Sequence, residues 1–224
     1  MFETNHVGPG PALGFDAEAG QAYNSGAHVS REYSQRREMT LEERLAEERI
    51  LFLWGEIGPG SGGSVIMRLL ELQSKSPTRE VHLYINSPGG SVDDTLAIYD
   101  TIRFVSCDVC TYCIGQAASG AAIILAAGTK GKRFALPHSK VMVHQPWGGV
   151  TGQAADIKIQ AEEILKSKKM LNEILAEHTG RTPEQISTET ERDRFMTPAQ
   201  AKDYGIVDEI LENRKTAKKK TNSK

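Results

Sequence analysis

Apolar and polar positions along the chain switch between two periods, and the switches mark out short strands and helices. "EVHLYIN" sets Val81, Leu83 and Ile85 on one phase and His82 and Tyr84 on the other, the period of a strand. Ahead of it Val65, Ile66, Leu69, Leu70 and Leu72 recur at helical spacing, and behind it "TLAIYDTIRF" predicts another helix. "ILFLW" (50–54) is an unbroken apolar run, which predicts a strand buried on both faces, fed by the short charged helix of "LEERLAEER". Gly58, Pro59, Gly60, Gly62 and Gly63 predict a turn-rich loop. "VCTYCIG" and "KVMVHQP" read as strands, "GAAIILAAG" as a short apolar helix closed by Gly128, and "IVDEIL" as a closing strand. This alternation of helix and strand predicts an α/β fold with parallel pairings.

The longest periodic segment runs from Gln153 to about His178, with Ile157, Ala161, Ile164, Leu171 and Leu175 in one stripe among Lys and Glu. An amphipathic helix of that length is expected to reach a partner. "TPEQ" at 182–185 reads as a capping box with Pro at the first helical position, and Thr197 and Gly205 bracket a second helix in the same way. Both ends of the chain differ from its middle. Residues 1–38 carry few large apolar residues and no period, and read as an extension ahead of the folded domain at 39–212. The basic tail at 213–224 reads as solvated.

Composition narrows the class. The formal charge of −2 supplies no net attraction to nucleic acid or an anionic membrane. No apolar run approaches the roughly 20 residues of a spanning helix, and the first thirty residues, without Lys or Arg, lack secretory and organelle-targeting patterns. A cytoplasmic protein is expected. Cys107, Cys110 and Cys113 form a C-x2-C-x2-C run, but side chains three apart on a strand point to opposite faces, so no metal site and three reduced thiols are expected.

Chemistry concentrates at a few positions. In "GQAASGAA" (115–122) Ser119 stands at a strand-to-helix junction, where a sharp turn exposes a hydroxyl and a helix start offers free N–H groups. On its own the same Ser also reads as a small residue that allows close packing. Of the six histidines, His138 and His144 flank the strand "SKVMV", and His144 stands where it gives way to "QPWGG", the edge at which α/β folds place their sites; either also reads as a polar group satisfied at a strand end. Among 29 Asp and Glu residues, Asp193 precedes an apolar pair and a capped helix, and reads either as an orienting acid or as an ion-pair partner of Arg192 or Arg194. Spacing alone does not choose.

"LYINSPGG", "GQAAS", "KGKRFALPHSKVMVHQPWGG", "GQAADIKIQAEEIL" and "TERDRFMTPAQAKDYGIVDEIL" resemble, in order, successive blocks of the ClpP family of proteolytic subunits of the Clp protease, from about Met39 to Leu211. The resemblance implies a crotonase-like spiral of β-α-β units with a protruding handle helix at about 153–178. It puts the nucleophile at Ser119, the base at His144 and the orienting acid at Asp193. The oxyanion hole falls on the amides of Gly90 and Gly120, and the substrate-binding edge on Gln145, Pro146, Trp147 and Gly148. It further implies homomeric or mixed heptameric rings stacked as a tetradecamer, and an AAA+ unfoldase such as ClpX or ClpA that uses the ATP. Unfolded polypeptides are the implied substrates, with no cofactor in this subunit.

Four places depart from the family pattern. Gly120 stands where Met is usual, which removes a side chain from the site. Asp93 and Asp94 replace small residues and read either as carboxylates near the site or as caps of the following helix. Trp147 replaces a smaller apolar residue, and Glu42 and Glu43 replace a Tyr-Ser pair. Two other readings stand beside the peptidase: an acyl-CoA enzyme of the crotonase type, which needs no Ser nucleophile, and a structural ring subunit of low activity.

Overall fold

The computed structural model describes residues 39–146, 149 and 151–212. The extension, the basic tail, Trp147 and Gly148 lie outside the described residues. The chain divides into two units, residues 1–44 and 45–224. Of the first, only the residues around the start of α1 (Leu41–Glu47) are described. Thr40 and Glu43 cap this helix reciprocally, the Glu43 amide donating to Thr40 Oγ1 and the Thr40 amide to Glu43 Oε2.

Strands and helices then alternate: β1 (Ile50–Trp54), α2 (Pro59–Lys75), β2 (Val81–Ser87), α3 (Val92–Phe104), β3 (Val109–Ala118), α4 (Gly120–Ala126), β4 (Arg133–Ala135) and β5 (Lys140–Val143). They are followed by α5 (Ala154–Thr179), α6 (Pro183–Glu189), β6 (Arg194–Met196), α7 (Pro198–Tyr204) and β7 (Glu209–Ile210). One mixed sheet runs β1-β2-β3-β4-β7, with β5 on β3 and β6 on β5. Every pairing is parallel except β5 with β6. The expected α/β spiral is present.

Its central member is β3, ten residues long and divided between two neighbours. Thr111–Cys113 pair with Arg133–Ala135 of β4, and Gln116–Ala118 pair with Lys140–Met142 of β5. The sheet therefore forks along one strand. Leu83, Ile85, Cys113 and Ala117 lie in the core with Leu69 of α2, Ile98 of α3 and Ile124 of α4.

Two expectations are corrected. β1 is buried on one face only: Leu51 and Leu53 are in the core, but Phe52 is half-exposed and Trp54 is 63% exposed. As an edge strand it has a single neighbour, and its outward residues join a ladder of rings across the sheet. Phe52, Tyr84, Tyr112 and Phe134 stack at successive centroid distances of 5.7, 4.5 and 5.0 Å. The glycine-rich stretch at 58–63 is a helix start rather than a loop. Pro59 sits at the first helical position, Ser61 Oγ accepts from the Gly58 amide, and Gly62 brings α2 against Asp94 and Ile98 of α3.

Helix α5 has 26 residues, but only Asn172, Leu175 and Ala176 are buried. Residues 154–163 are exposed throughout, so the stripe read from the sequence packs on the domain only at its C-terminal end. Gly180, at φ 72°, terminates it. No helix of the described residues is long and apolar enough to cross a membrane.

Charged groups hold the strand starts. Arg49 is buried ahead of β1 and donates to the carbonyls of Leu72, Ser76, Arg79 and Glu80. Lys132, ahead of β4, bridges Glu80 and Asp108, which precede β2 and β3. Asp208, ahead of β7, takes two bonds from the Arg133 guanidinium, at 2.6 and 2.9 Å. Cys110 lies beside Glu80 and Cys113 beside the Lys140 carbonyl, so the two thiols point to different partners. Burial, assisted by Glu80, pushes Cys110 up to about 12, and it stays a neutral thiol at physiological pH.

Burial works against ionised Asp208, but Arg133 outweighs it and holds this acid below the usual carboxylate range. A carboxylate whose folded pKa is depressed adds stability above its unfolded pKa, and that stability is lost as pH falls through the folded value. The midpoint of urea unfolding is therefore expected to drop below about pH 4. Asp208→Asn should lower the midpoint at pH 7 and flatten the acid limb.

Candidate active site

The fork of β3 brings distant residues together. Ala118, the last residue of β3, is in register with Met142 of β5, and the Ser119 amide donates to the Met142 carbonyl at 2.9 Å. Two residues beyond Met142 the chain leaves β5 at His144. Across the antiparallel pair Val143 is in register with Arg194, which sets Asp193 beside His144. Ser119, His144 and Asp193 thus follow from strand register. His138 is exposed on the turn before β5, and His82 is occupied with the Tyr112 hydroxyl at 2.9 Å.

The side chains meet in series. Ser119 Oγ and His144 Nε2 are hydrogen-bonded at 2.9 Å. His144 Nδ1 lies 3.3 Å from Asp193 Oδ1. The imidazole is largely enclosed, whereas the Asp193 side chain is 60% exposed, which makes the acid the looser partner.

Ser119 is N-cap of α4 with φ 55° and ψ −125°, a left-handed conformation that an L-residue rarely adopts. This tight turn aims the hydroxyl outward instead of capping the helix. The "SPGG" turn packs directly onto it. A Cβ on Gly89 would sit 2.7 Å from Ser119 Cβ, and one on Gly90 would sit 2.1 Å from the Ile57 carbonyl oxygen. Only bare backbone fits there. The Gly90 and Gly120 amides have no acceptor among the described residues, so both remain free to donate at the mouth of the site.

A groove of about 350 Å³ passes Pro88, Gly89, Ser119, Met142, His144 and Pro146. A smaller cavity of about 30 Å³ opens beside Ser119, walled by Val92, Thr95, Ile123, Leu171 and Asn172. Of the expected substrate edge, Pro146 lines both spaces. Gln145 is anchored elsewhere, its amide to the Thr190 carbonyl and its side chain to the Ser187 carbonyl. Asp93 and Asp94 lie in the first turn of α3, but the cap is Ser91, whose Oγ accepts from the Asp94 amide.

Gly120 leaves no gap. A Cβ there would lie 2.3 Å from Thr95 Oγ1, so Thr95 already fills that space from α3. Sequence reasoning missed Thr95 and Asn172. Their only signal is a polar residue on the buried phase of each helix.

A serine bonded to an imidazole that faces a carboxylate, beside unpaired backbone amides, is the arrangement of serine hydrolases that act by acyl transfer. The Clp protease family model matches residues 33–214. A curated relative from Rhodopirellula baltica, the ATP-dependent Clp protease proteolytic subunit 1, is 54% identical over 179 residues, covering 80% of this chain and 79% of its own length. The chain belongs to the Clp protease family.

The left-handed turn at Ser119 carries a cost of about 1–3 kcal/mol in a residue with a Cβ. Ser119→Gly should therefore unfold at higher urea than Ser119→Ala, by about 1 kcal/mol, in parallel equilibrium denaturation.

Proposed function

We propose that this chain is the serine endopeptidase subunit of a Clp protease, with Ser119 as nucleophile, His144 as general base and Asp193 as orienting acid. The observation that carries the reading is the 2.9 Å bond between Ser119 Oγ and His144 Nε2. As Oγ attacks the peptide carbonyl carbon, its proton passes to Nε2 and a tetrahedral oxyanion forms between the Gly90 and Gly120 amides. Collapse breaks the C–N bond, and His144 returns the proton to the leaving amine. A water molecule, deprotonated by the same imidazole, then releases the acyl chain and restores Ser119. Asp193 fixes the tautomer and faces the imidazolium; its contact is of the kind that tightens when substrate binds.

The groove suits an extended peptide held by main-chain bonds, which favours unfolded polypeptides over a particular sequence. The subunit itself uses no cofactor. An AAA+ unfoldase of the ClpX or ClpA kind supplies the chains and hydrolyses the ATP. Subunits assemble as heptameric rings, alike or mixed, stacked as a tetradecamer in the cytoplasm. The exposed N-terminal half of α5, with Ile157, Ile159 and Leu165 open to solvent, supplies the apolar surface such stacking would cover.

A fluorophosphonate probe is expected to label the protein once per subunit, read by intact-mass spectrometry, and Ser119→Ala to abolish both labelling and peptide cleavage. Labelling that persists in Ser119→Ala overturns the assignment. Asp193→Asn should lower kcat by about 10²–10⁴-fold, with labelling slowed in parallel.

A further inference from the structure

We propose that Tyr204, acting through Arg194, is a positioning residue for Asp193: it holds the start of β6 so that the orienting acid stays against His144. The proposal rests on the peptidase reading above.

Asp193 is the least secured member of the site. Its side chain is 60% exposed, and the approach to His144 Nδ1 at 3.3 Å is the only polar contact its carboxylate makes among the described residues. Its place is therefore set by the backbone on which it stands. That backbone has little support of its own: β6 is three residues long, pairs only with β5 and has no strand on its other side. So short an edge strand frays easily unless a side chain anchors its first residue.

Arg194 is that anchor. It opens β6, next to Asp193 and in register with Val143. Its guanidinium carbon lies 5.1 Å from the centroid of the Tyr204 ring, within the range at which an aromatic face holds a cation. Its side chain makes no ion pair or hydrogen bond among the described residues, so the ring is where the charge is seated. Neighbouring side chains on an extended backbone point to opposite sides. With Arg194 drawn to Tyr204, Asp193 is turned the other way, toward the imidazole.

Tyr204 is itself fixed in the core. It ends α7, is buried, and carries a second guanidinium, that of Arg181, 4.1 Å from the ring centroid. Arg181 pairs with Glu189 at the end of α6 at 3.1 Å, and its Nε donates to the Tyr204 carbonyl at 3.4 Å. The ring thus ties the turn after α5 and the ends of α6 and α7 to the first residue of β6. Its hydroxyl makes no hydrogen bond among the described residues. The face of the ring is the working part, which separates two substitutions: Phe keeps that face and Leu does not.

The test uses the assembled full-length protein, with steady-state cleavage of a short fluorogenic peptide and the rate constant of fluorophosphonate labelling. Arg194→Gln and Tyr204→Leu should each lower kcat by about 10- to 100-fold with KM little changed, the loss that follows when a catalytic group is misplaced by about 1 Å. Tyr204→Phe should keep the wild-type kcat, and Arg194→Lys should recover part of it, because an ammonium can still sit over the ring. In an Asp193→Asn background, Arg194→Gln should slow labelling by no more than about twofold, because the acid it positions is gone. A wild-type kcat in Arg194→Gln, or a loss as large in the Asp193→Asn background as without it, overturns the positioning role while leaving the peptidase intact. Should Tyr204→Leu fail to fold, Arg194→Gln decides the matter, since Arg194 is exposed. Failure of the wild type to cleave any peptide or to react with the fluorophosphonate overturns the peptidase reading itself, and this inference with it.

Discussion

Strand β3 is shared between two neighbours, and the site depends on that division. Its first half pairs β4 and its second half pairs β5, so β5 is delivered to the position where β3 ends. Ser119 leaves one strand and His144 the other on the same edge, within hydrogen-bond distance. The three-residue antiparallel pairing of β5 with β6 then sets Asp193 against the imidazole. Had β5 slipped by one residue, every side chain on it would have changed face, and His144 would point away from Ser119. Register, more than any single contact, holds the three groups together.

Around that register the chain uses bare backbone to bring elements close. Gly89 and Gly90 let one turn lie against the Ser119 turn on one side and Ile57 on the other. Ser119 itself accepts a left-handed conformation that its neighbours on β5 and α4 hold in place. Packing is equally close at Thr95, where a β-branched residue in the second turn of α3 meets the one position in α4 without a side chain. The nucleophile's turn is therefore held by closely packed helices and strands, while Asp193 stays the looser, exposed member of the site.

Much of this was legible in the sequence. The alternation of Val81, Leu83 and Ile85 located a half-buried strand, and the two Thr-Pro-x-Gln boxes located helix starts at Thr182 and Thr197. Failures occurred where a local signal has two physical meanings. "ILFLW" is apolar throughout, but an edge strand leaves Phe52 and Trp54 outside, where they extend a ladder of stacked rings. Glycine and proline at 58–63 mark a helix start as readily as a loop. Nothing local in "VCTYCIGQAA" reveals that its two halves have different partners. The nearness of Asp193 to His144 is likewise a product of pairing between strands fifty residues apart in the chain, and only the family resemblance singled it out. Thr95 escaped notice because its importance lies in what is absent at position 120.

Arg49, Glu80, Asp108, Lys132 and Asp208 all precede strands, so this group of charged side chains lies at the N-terminal edge of the sheet. The reacting groups lie where β3 and β5 end. The two sets share no contact, and effects at separate sites add nearly independently. The domain is therefore divisible for an engineer or for evolution: the cool end of the sheet can be re-tuned for heat, salt or acid while the working end keeps its chemistry.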